Sequence, residues 1–192
     1  ADPTVEIMVN KEWDDEDNKE NKRPETVIVE LWRKLKDGTD EPIYIGYETI
    51  TQDVNGDWSM KFTNLPKADS SGNEYEYSIK ERKVPGYISD EVSGNANEGF
   101  TLTNRLEADI SGKKTWNDGN NQDGIRPESI IIRLLKNGEE IDSKTVTEAD
   151  DWAWSFTDLL KYDSTGNPIN YTIEEDEVKE YSSEISGYDV TN

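Results

Sequence analysis

The chain contains no histidine and no cysteine, so any acid–base chemistry must come from carboxylates, lysine or tyrosine. Two of its lysines occupy unusual positions. In the strand-like run "VEIMVNKEW", alternation puts Lys11 on the same face as the apolar residues, because successive side chains of a strand point to opposite faces. In "ADISGKKTW" the same parity selects Lys114 and rejects its neighbour Lys113. Each selected lysine therefore lies at the end of an inward-facing row.

A glutamate and an asparagine end two other inward-facing rows in the same way. In "YEYSIKE" Glu81 shares a face with two tyrosines and an isoleucine, and in "INYTIEE" parity selects Glu175 rather than Glu174. The runs "GFTLTN" and "GYDVTN" end with Asn104 and Asn192. One lysine, one glutamate and one asparagine thus recur with the same parity twice along the chain.

The residue types alone leave several interpretations of this trio open. A polar residue often ends a strand where the chain emerges into solvent, and a lysine can extend its ammonium out of a core. A glutamate beside the lysine would form an ion pair, and asparagine is a common turn residue. The recurrence of all three favours a shared role, but on parity alone a buried Lys–Glu pair that is hydrogen-bonded to the asparagine remains an alternative.

The trio recurs because the chain contains an internal repeat. The segment "VNKEWDDEDNKENKRPETVIVEL" matches "SGKKTWNDGNNQDGIRPESIIIRL", and "WSMKFTNLPKADSSGNEYEYSIKE" matches "WAWSFTDLLKYDSTGNPINYTIEE". We predict two tandem domains, residues 1–105 and 106–192, each within the usual size range of a domain. No Gly/Ser-rich or Pro-rich linker separates the copies, so we expect a short and fairly stiff joint.

Both copies consist of short alternating runs separated by turn-rich segments such as "KDGTDEP" and "DVNGD". In the first copy the runs cover residues 4–13, 26–35, 43–50, 57–63, 74–82 and 99–104. No long stretch has the 3.6-residue period of a helix. Six or seven strands per copy predict an all-β fold of two tandem immunoglobulin-like β-sandwich domains.

The charge of the chain restricts its partners. Its 192 residues include 43 acidic and 21 basic side chains, a formal net charge of −22. Such a surface repels phosphate backbones and anionic lipid, so we expect neither nucleic acid nor a membrane as partner. No apolar run is long enough to span a membrane. Because the sequence has no signal peptide and no LPxTG-type sorting motif, we expect an interior piece of a longer protein.

The ordered set of short motifs resembles the Cna protein B-type domains of Gram-positive surface adhesins and pilins. The motifs are "KEW" and "KKTW" on the first strand, "RPETVIVEL" and "RPESIIIRL" on the next, "YSIKE" and "YTIEE" as an acidic box, and "LTN" and "VTN" at the end. Together they cover nearly the whole chain, once per copy. Domains of this family are similar in having an inverse immunoglobulin-like sandwich with an internal Lys–Asn isopeptide bond, which a neighbouring carboxylate promotes.

Carried over position by position, the resemblance implies one crosslink and one promoting carboxylate per copy: Lys11–Asn104 with Glu81, and Lys114–Asn192 with Glu175. Burial among apolar residues would lower the pKa of each lysine and make its amine nucleophilic. The amine would attack the asparagine side chain and release ammonia, once per domain. This is self-processing rather than enzymatic turnover, and the resemblance implies no cofactor and no metal.

The resemblance also implies a role and a location. The segment would be a structural stalk or spacer of a cell-surface adhesin, extracellular and anchored to the cell wall through the full-length protein. Its partners would be neighbouring repeats of the same polypeptide, with a host extracellular-matrix protein bound through other domains. The segment itself would be a monomer. The copies differ beside the lysine, where Gly112 takes the place of Val9 or Asn10.

Two other functions fit parts of the sequence. A binding module would use the acidic loops "DDEDNKENK" and "WNDGNNQDG" to contact a host matrix protein, a glycan or calcium, although neither loop has the EF-hand pattern. A glycosidase would use paired carboxylates, which are inevitable among 43 acidic residues, but so small a domain offers little room for a substrate cleft. Trp58, Trp152 and Trp154 could form a sugar platform, yet their alternation with other large apolar residues favours core packing.

Overall fold

The computed structural model describes residues 2–192, and the chain divides into two compact units. Residues up to Leu106 belong to unit 1, and residues from Glu107 onward belong to unit 2. Strands dominate both units, and the helical structure within residues 2–192 is limited to a 3-10 turn at Glu148–Asp150. The predicted all-β fold of two tandem immunoglobulin-like β-sandwich domains is confirmed.

Residues 2–106, the described part of unit 1, contain eight strands in two sheets. They are β1 (Thr4–Asp14), β2 (Thr26–Leu35), β3 (Ile43–Thr51), β4 (Ser59–Pro66), β5 (Tyr75–Glu81), β6 (Tyr87–Ser89), β7 (Ser93–Asn95) and β8 (Gly99–Leu106). One sheet has the order β4-β1-β8-β6, with β7 also paired to β8, and the other has the order β3-β2-β5. The pair β1–β8 is parallel and the other pairs are antiparallel. The first and last strands of the unit are therefore direct neighbours.

The two sheets of unit 1 enclose a core made by the inward-facing residues of each strand. Ile7 and Val9 on β1, Val29 on β2, Ile79 on β5 and Leu102 on β8 are all buried. Burial alternates along β1, β2 and β8, because each of these strands turns one face toward the opposite sheet. A polar residue on an inward face of these strands is consequently removed from water.

Unit 2 repeats the arrangement with seven strands. They are β9 (Ile110–Thr115), β10 (Ser129–Lys136), β11 (Glu139–Thr147), β12 (Ala153–Phe156), β13 (Tyr171–Glu175), β14 (Glu184–Ser186) and β15 (Asp189–Thr191). The sheets have the orders β12-β9-β15-β14 and β11-β10-β13. Strands β9 and β15 are parallel, so the first and last strands are again neighbours. Ile110, Ile132 and Val190 lie in the core between the sheets.

The strand prediction for unit 1 was incomplete. Strands β6 and β7 are three residues each and lie in a stretch for which the sequence predicted no strand. Three residues are too few for an alternating pattern to be recognised.

The prediction that the tryptophans pack in the cores is confirmed, since Trp58 and Trp154 are buried and Trp152 packs against the core of unit 2.

Candidate functional site

Lys11 and Asn104 meet across the parallel pair of strands β1 and β8. In this register Lys11 lies opposite Leu102 and Trp13 lies opposite Asn104, so the lysine and the asparagine share a face two positions apart. The Nζ atom of Lys11 donates a hydrogen bond to Oδ1 of Asn104. Lys11 is only 5% exposed and Asn104 is 0% exposed. The lysine side chain therefore bridges the first and last strands inside the core.

Glu81 approaches this pair from the opposite sheet, where it ends β5 beside Val29 of β2. Its Oε2 atom lies 3.3 Å from Nζ of Lys11, and its side chain is 3% exposed. The other carboxylate oxygen, Oε1, accepts a hydrogen bond from the hydroxyl of Ser89 over 2.7 Å. The structure thus brings together the three residues that the sequence singled out in unit 1.

In unit 2 the same three residue types meet, but the carboxylate lies at the centre. Nζ of Lys114 donates to Oε2 of Glu175, and Nδ2 of Asn192 donates to Oε1 of Glu175 over 2.9 Å. The Lys114 and Glu175 side chains are 0% and 1% exposed. Lys113 and Glu174, which parity rejected, are exposed. The two units therefore bury equivalent trios with different hydrogen-bond patterns.

Burial changes the acid–base behaviour of both lysines. Desolvation lowers the pKa of Lys11 to about 8, although the nearby carboxylate of Glu81 acts in the opposite direction. Burial likewise lowers the pKa of Lys114, against the effect of Glu175. An amine with a lowered pKa is neutral for a larger share of the time near neutral pH, and the neutral form is the nucleophile.

A tryptophan two residues after each lysine forms one wall of the site. The ring centroid of Trp13 lies 4.1 Å from Nζ of Lys11, and that of Trp116 lies 4.6 Å from Nζ of Lys114. Trp13 also packs edge-on against Tyr87, with ring centroids 4.8 Å apart. The two tryptophan rings keep water from the amines, and such desolvation disfavours the charged form of a lysine, although the attraction between an ammonium and a ring face acts in the opposite direction.

A buried aspartate that the sequence analysis missed holds this wall in place. Asp15 is 1% exposed and accepts hydrogen bonds from Nε and Nη2 of Arg23, both over 2.8 Å, and from the Tyr87 hydroxyl over 2.8 Å. Burial by itself would raise the pKa of Asp15, but the hydrogen bonds from Arg23, Tyr87 and the backbone of Asn18 outweigh it and hold the pKa below its ordinary range. We call Asp15, Arg23 and Tyr87 the aspartate clamp.

Unit 2 contains an equivalent clamp. Asp118 accepts hydrogen bonds from Arg126 over 2.7 and 2.8 Å and from the Tyr181 hydroxyl over 2.8 Å. The available signal in the sequence was the arginine of the repeated "RPE" motif, which follows the aspartate by eight residues in both copies. The clamp is therefore as much a repeated feature as the Lys, Glu and Asn trio.

In the acidic loops that were considered as cation sites, these two aspartates pair with arginines. Asp15 and Asp118 form ion pairs with arginines of the same loops. Within residues 2–192, no group of three or more histidine, cysteine, aspartate and glutamate side chains is arranged to hold a metal ion. Over the same range, none of the helical structure has the length and apolar character needed to cross a membrane.

Comparisons with known sequences match both units. The family described as Cna protein B-type domain matches residues 7–105 and 110–192. The collagen adhesin of Staphylococcus aureus is 38% identical over an alignment of 188 residues, and the match covers 96% of this chain and 15% of the adhesin. The chain thus spans a small part of the length of this curated relative.

Similar solved structures include B repeat units of the collagen-binding surface protein of S. aureus. A structure of two repeats (B1B2) is 35% identical and covers 98% of this chain and 49% of its own, with a TM-score of 0.44. A single repeat (B1) is 30% identical over 98% of this chain and 97% of its own, also with a TM-score of 0.44. The pilus adhesin SpaC of Lactobacillus rhamnosus GG is 18% identical over 97% of this chain and 22% of its own, with a TM-score of 0.44.

Proposed function

Because the chain belongs to the family of Cna protein B-type domains, we propose that it is a structural stalk segment of a bacterial surface adhesin, in which each unit closes itself with one Lys–Asn isopeptide bond. The observation that carries this proposal is that each unit buries the side chains of a lysine, a glutamate and an asparagine in one connected group. The lysine contacts the other two in unit 1, and the glutamate contacts the other two in unit 2. A buried ion pair without a bond would keep the ammonium desolvated, at a cost of several kcal/mol. Amide formation eliminates that buried charge.

The proposed reaction in unit 1 begins with the neutral amine of Lys11. Its Nζ attacks Cγ of Asn104, so that a new N–C bond forms and the bond between Cγ and Nδ2 breaks. Glu81, 3.3 Å from the amine, accepts the proton that the attacking nitrogen loses, and a proton is returned to the departing nitrogen. Ammonia leaves, and Glu81 ends in the protonation state in which it began.

In unit 2 the same reaction would join Lys114 to Asn192. Glu175 contacts both the attacking nitrogen and the departing nitrogen, so one carboxylate can accept the first proton and supply the second. The fold provides the proximity that makes an unreactive amide react, an effect worth up to about 7–11 kcal/mol of barrier in well-oriented cases.

The proposed bonds have a mechanical consequence. In each unit the reacting lysine lies on the first strand and the asparagine lies on or immediately after the last. A pulling force applied to the two ends of unit 1 would pass from β1 to β8 through the bond, and the residues between Lys11 and Asn104 would not bear it. Such a unit suits a stalk that holds a binding domain away from the cell.

The proposal extends to the parent protein. The curated relative is a collagen adhesin, and we propose that a host matrix protein is bound by other domains of a similar surface protein, outside the cell and attached to its wall. This segment would act as a spacer between those domains and the wall.

Intact-mass measurement tests the crosslinks directly. Each isopeptide bond releases one ammonia, about 17 Da, so the folded protein should weigh about 34 Da less than its sequence. A proteolytic digest should then contain two branched peptides, one carrying Lys11 joined to Asn104 and the other Lys114 joined to Asn192. An unchanged intact mass would contradict the proposal.

Adjacent residues provide matched controls in unit 2. Lys114→Met should lower the deficit from about 34 to about 17 Da, whereas Lys113→Met, at the exposed neighbouring position, should leave it at about 34 Da. Glu175→Gln and Glu174→Gln form a second matched pair with the same expected difference. Equal masses for the two members of either pair would show that parity selected the wrong residue.

A further inference from the structure

Ser89 lies beside the reacting groups of unit 1. It is directly opposite Asn104 in the antiparallel pair of β6 and β8, so both side chains project from the same face. The Ser89 hydroxyl donates to Oε1 of Glu81 over 2.7 Å and accepts from Nδ2 of Asn104 over 3.5 Å. Among the described residues, Ser89 therefore joins the carboxylate to the nitrogen that would leave.

The two units differ in what the asparagine amide nitrogen contacts: the carboxylate itself in unit 2 and a serine hydroxyl in unit 1. Nδ2 of Asn192 donates to Glu175 itself over 2.9 Å and to the backbone oxygen of Ser182 over 2.9 Å. In unit 1 the partner of the Asn104 amide nitrogen is the hydroxyl of Ser89. The carboxylate of Glu81 is thus placed to take a proton from Lys11, and a hydroxyl stands between it and the leaving group.

We propose that the hydroxyl of Ser89 is a catalytic proton relay for isopeptide formation in unit 1. This inference rests on the proposed function and adds a fourth participating residue, one that unit 2 does not need. Serine suits the task because its hydroxyl can donate one hydrogen bond and accept others at the same time.

The proton transfers balance without any added reactant. When Nζ of Lys11 attacks Cγ of Asn104, Glu81 takes a proton from the nitrogen. As the tetrahedral intermediate forms, Nδ2 becomes an amine with a free lone pair, and both hydrogen bonds of Ser89 reverse direction. The carboxyl group of Glu81 then rotates to turn this proton from Lys11 toward Ser89, and it gives the proton to Oγ of Ser89 while Oγ gives its own proton to Nδ2. The C–Nδ2 bond breaks, ammonia departs, and Ser89 and Glu81 regain their starting states.

The position of Ser89 also suits the departure of ammonia. Ser89 is exposed, whereas Asn104 next to it is fully buried. The relay therefore stands between the leaving nitrogen and solvent, where the released ammonia can be hydrated. An exposed serine on a three-residue strand has little core packing to lose on substitution, so its replacement by alanine should change the chemistry rather than the fold.

The test measures, in the full two-unit chain, the rate at which each unit forms its isopeptide bond, which we call the closure rate. The protein is labelled during a short pulse of heavy amino acids, samples are quenched in acidic denaturant at intervals, and the branched and linear peptides of each unit are quantified by mass spectrometry. Ser89→Ala should slow closure of unit 1 by about 100-fold, the lower end of the usual contribution of general acid–base catalysis. Closure of unit 2 in the same molecule should keep its wild-type rate.

Three controls separate a relay from a structural effect. Ser89→Thr keeps the hydroxyl and should restore most of the closure rate of unit 1. Ser183→Ala alters the serine two residues after Tyr181, as Ser89 follows Tyr87, and should leave both rates unchanged. In a Lys11→Met background, where no bond can form, Ser89→Ala should leave the Tm of unit 1 unchanged within a few degrees.

Two results would overturn the relay. Closure of unit 1 in Ser89→Ala at the wild-type rate would show that Glu81 reaches the leaving nitrogen unaided, and slow closure in Ser89→Thr as well would show that the hydroxyl is not the active group. Failure of the proposed function itself would be seen separately, because wild-type unit 1 would then contain no branched peptide at any time.

Discussion

Replacing Lys11 by methionine removes the amine and keeps a flexible apolar side chain of similar length beside Trp13. The variant cannot form the proposed bond, so unit 1 loses the constraint between β1 and β8. Lys11 and Asn104 are 93 positions apart. By the chain-entropy relation developed for disulfides, closing a loop of that length stabilises the folded state by about 4.7 kcal/mol.

A free energy of this size produces a large change in melting temperature. A domain of roughly 100 residues changes its Tm by about 4–8 °C per kcal/mol, so unit 1 of Lys11→Met should melt about 20–40 °C below the wild type. Differential scanning calorimetry measures the shift. Lys36→Met is the matched control, because the Lys36 side chain is 61% exposed and its loss should move the Tm by only a few degrees.

A second variant distinguishes the bond from a simple ion pair, which Lys11→Met would also remove. Asn104→Ala prevents the bond but leaves Lys11 and Glu81 in place, and we expect nearly the same decrease in Tm. If Asn104→Ala melted within about 5 °C of the wild type while Lys11→Met melted far lower, the ion pair would be the stabilising element. The reasoning from loop closure would then be refuted.

Three further predictions concern pH, strand packing and the aspartate clamp. Because burial lowers the pKa of Lys11 to about 8, the neutral fraction rises with pH, and the closure rate of unit 1, followed by mass, should increase up to about pH 8 and then level off. In Gly112→Ala the new Cβ would collide with the backbone oxygen of Tyr188, and calorimetry should show unit 2 destabilised by about 1–3 kcal/mol. Gly46→Ala is the control and should not destabilise unit 1 in this way, because no atom lies within 4 Å of its added Cβ. Asp15→Asn should lower the unfolding free energy of unit 1 at pH 7 by about 2–3 kcal/mol. Since the folded pKa of Asp15 is depressed, that contribution is present above the ordinary aspartate pKa and is lost as the pH falls through the folded value, so denaturant titrations in acid should bring the variant and the wild type together.

Parity placed the members of each trio on inward faces, and the structure buries their side chains. A strand alternates faces at every residue, so the choice between Lys113 and Lys114, or between Glu174 and Glu175, depends only on local sequence. The internal repeat showed the same placement of lysine, glutamate and asparagine a second time, which supported the selection. The Asp15 clamp escaped this reasoning because its aspartate and arginine lie in a loop, where no fixed periodicity relates a residue to a face.

The role of Ser89 and the different hydrogen bonds of the two units could not be predicted from the sequence either. Parity assigns a side chain to a face of its strand but says nothing about how far apart two strands lie. Strand β6, which carries Ser89, was also too short to be recognised. Whether the Asn104 amide reaches a carboxylate directly or through a hydroxyl depends on register between β6 and β8 and on the position of β5 in the other sheet. These are contacts between segments far apart in the chain.

The sequence by itself determined the all-β class, the tandem repeat and the inward orientation of Lys11, because composition, repetition and alternation are properties of neighbouring residues. Alternation did not determine that the lysine meets Asn104 and Glu81, which only the family resemblance implied. The tertiary structure creates that contact, since it requires two strands to pair in parallel and two sheets to pack face to face. The physical reason is that alternation is local, whereas proximity between residues 93 positions apart is created only when the chain folds.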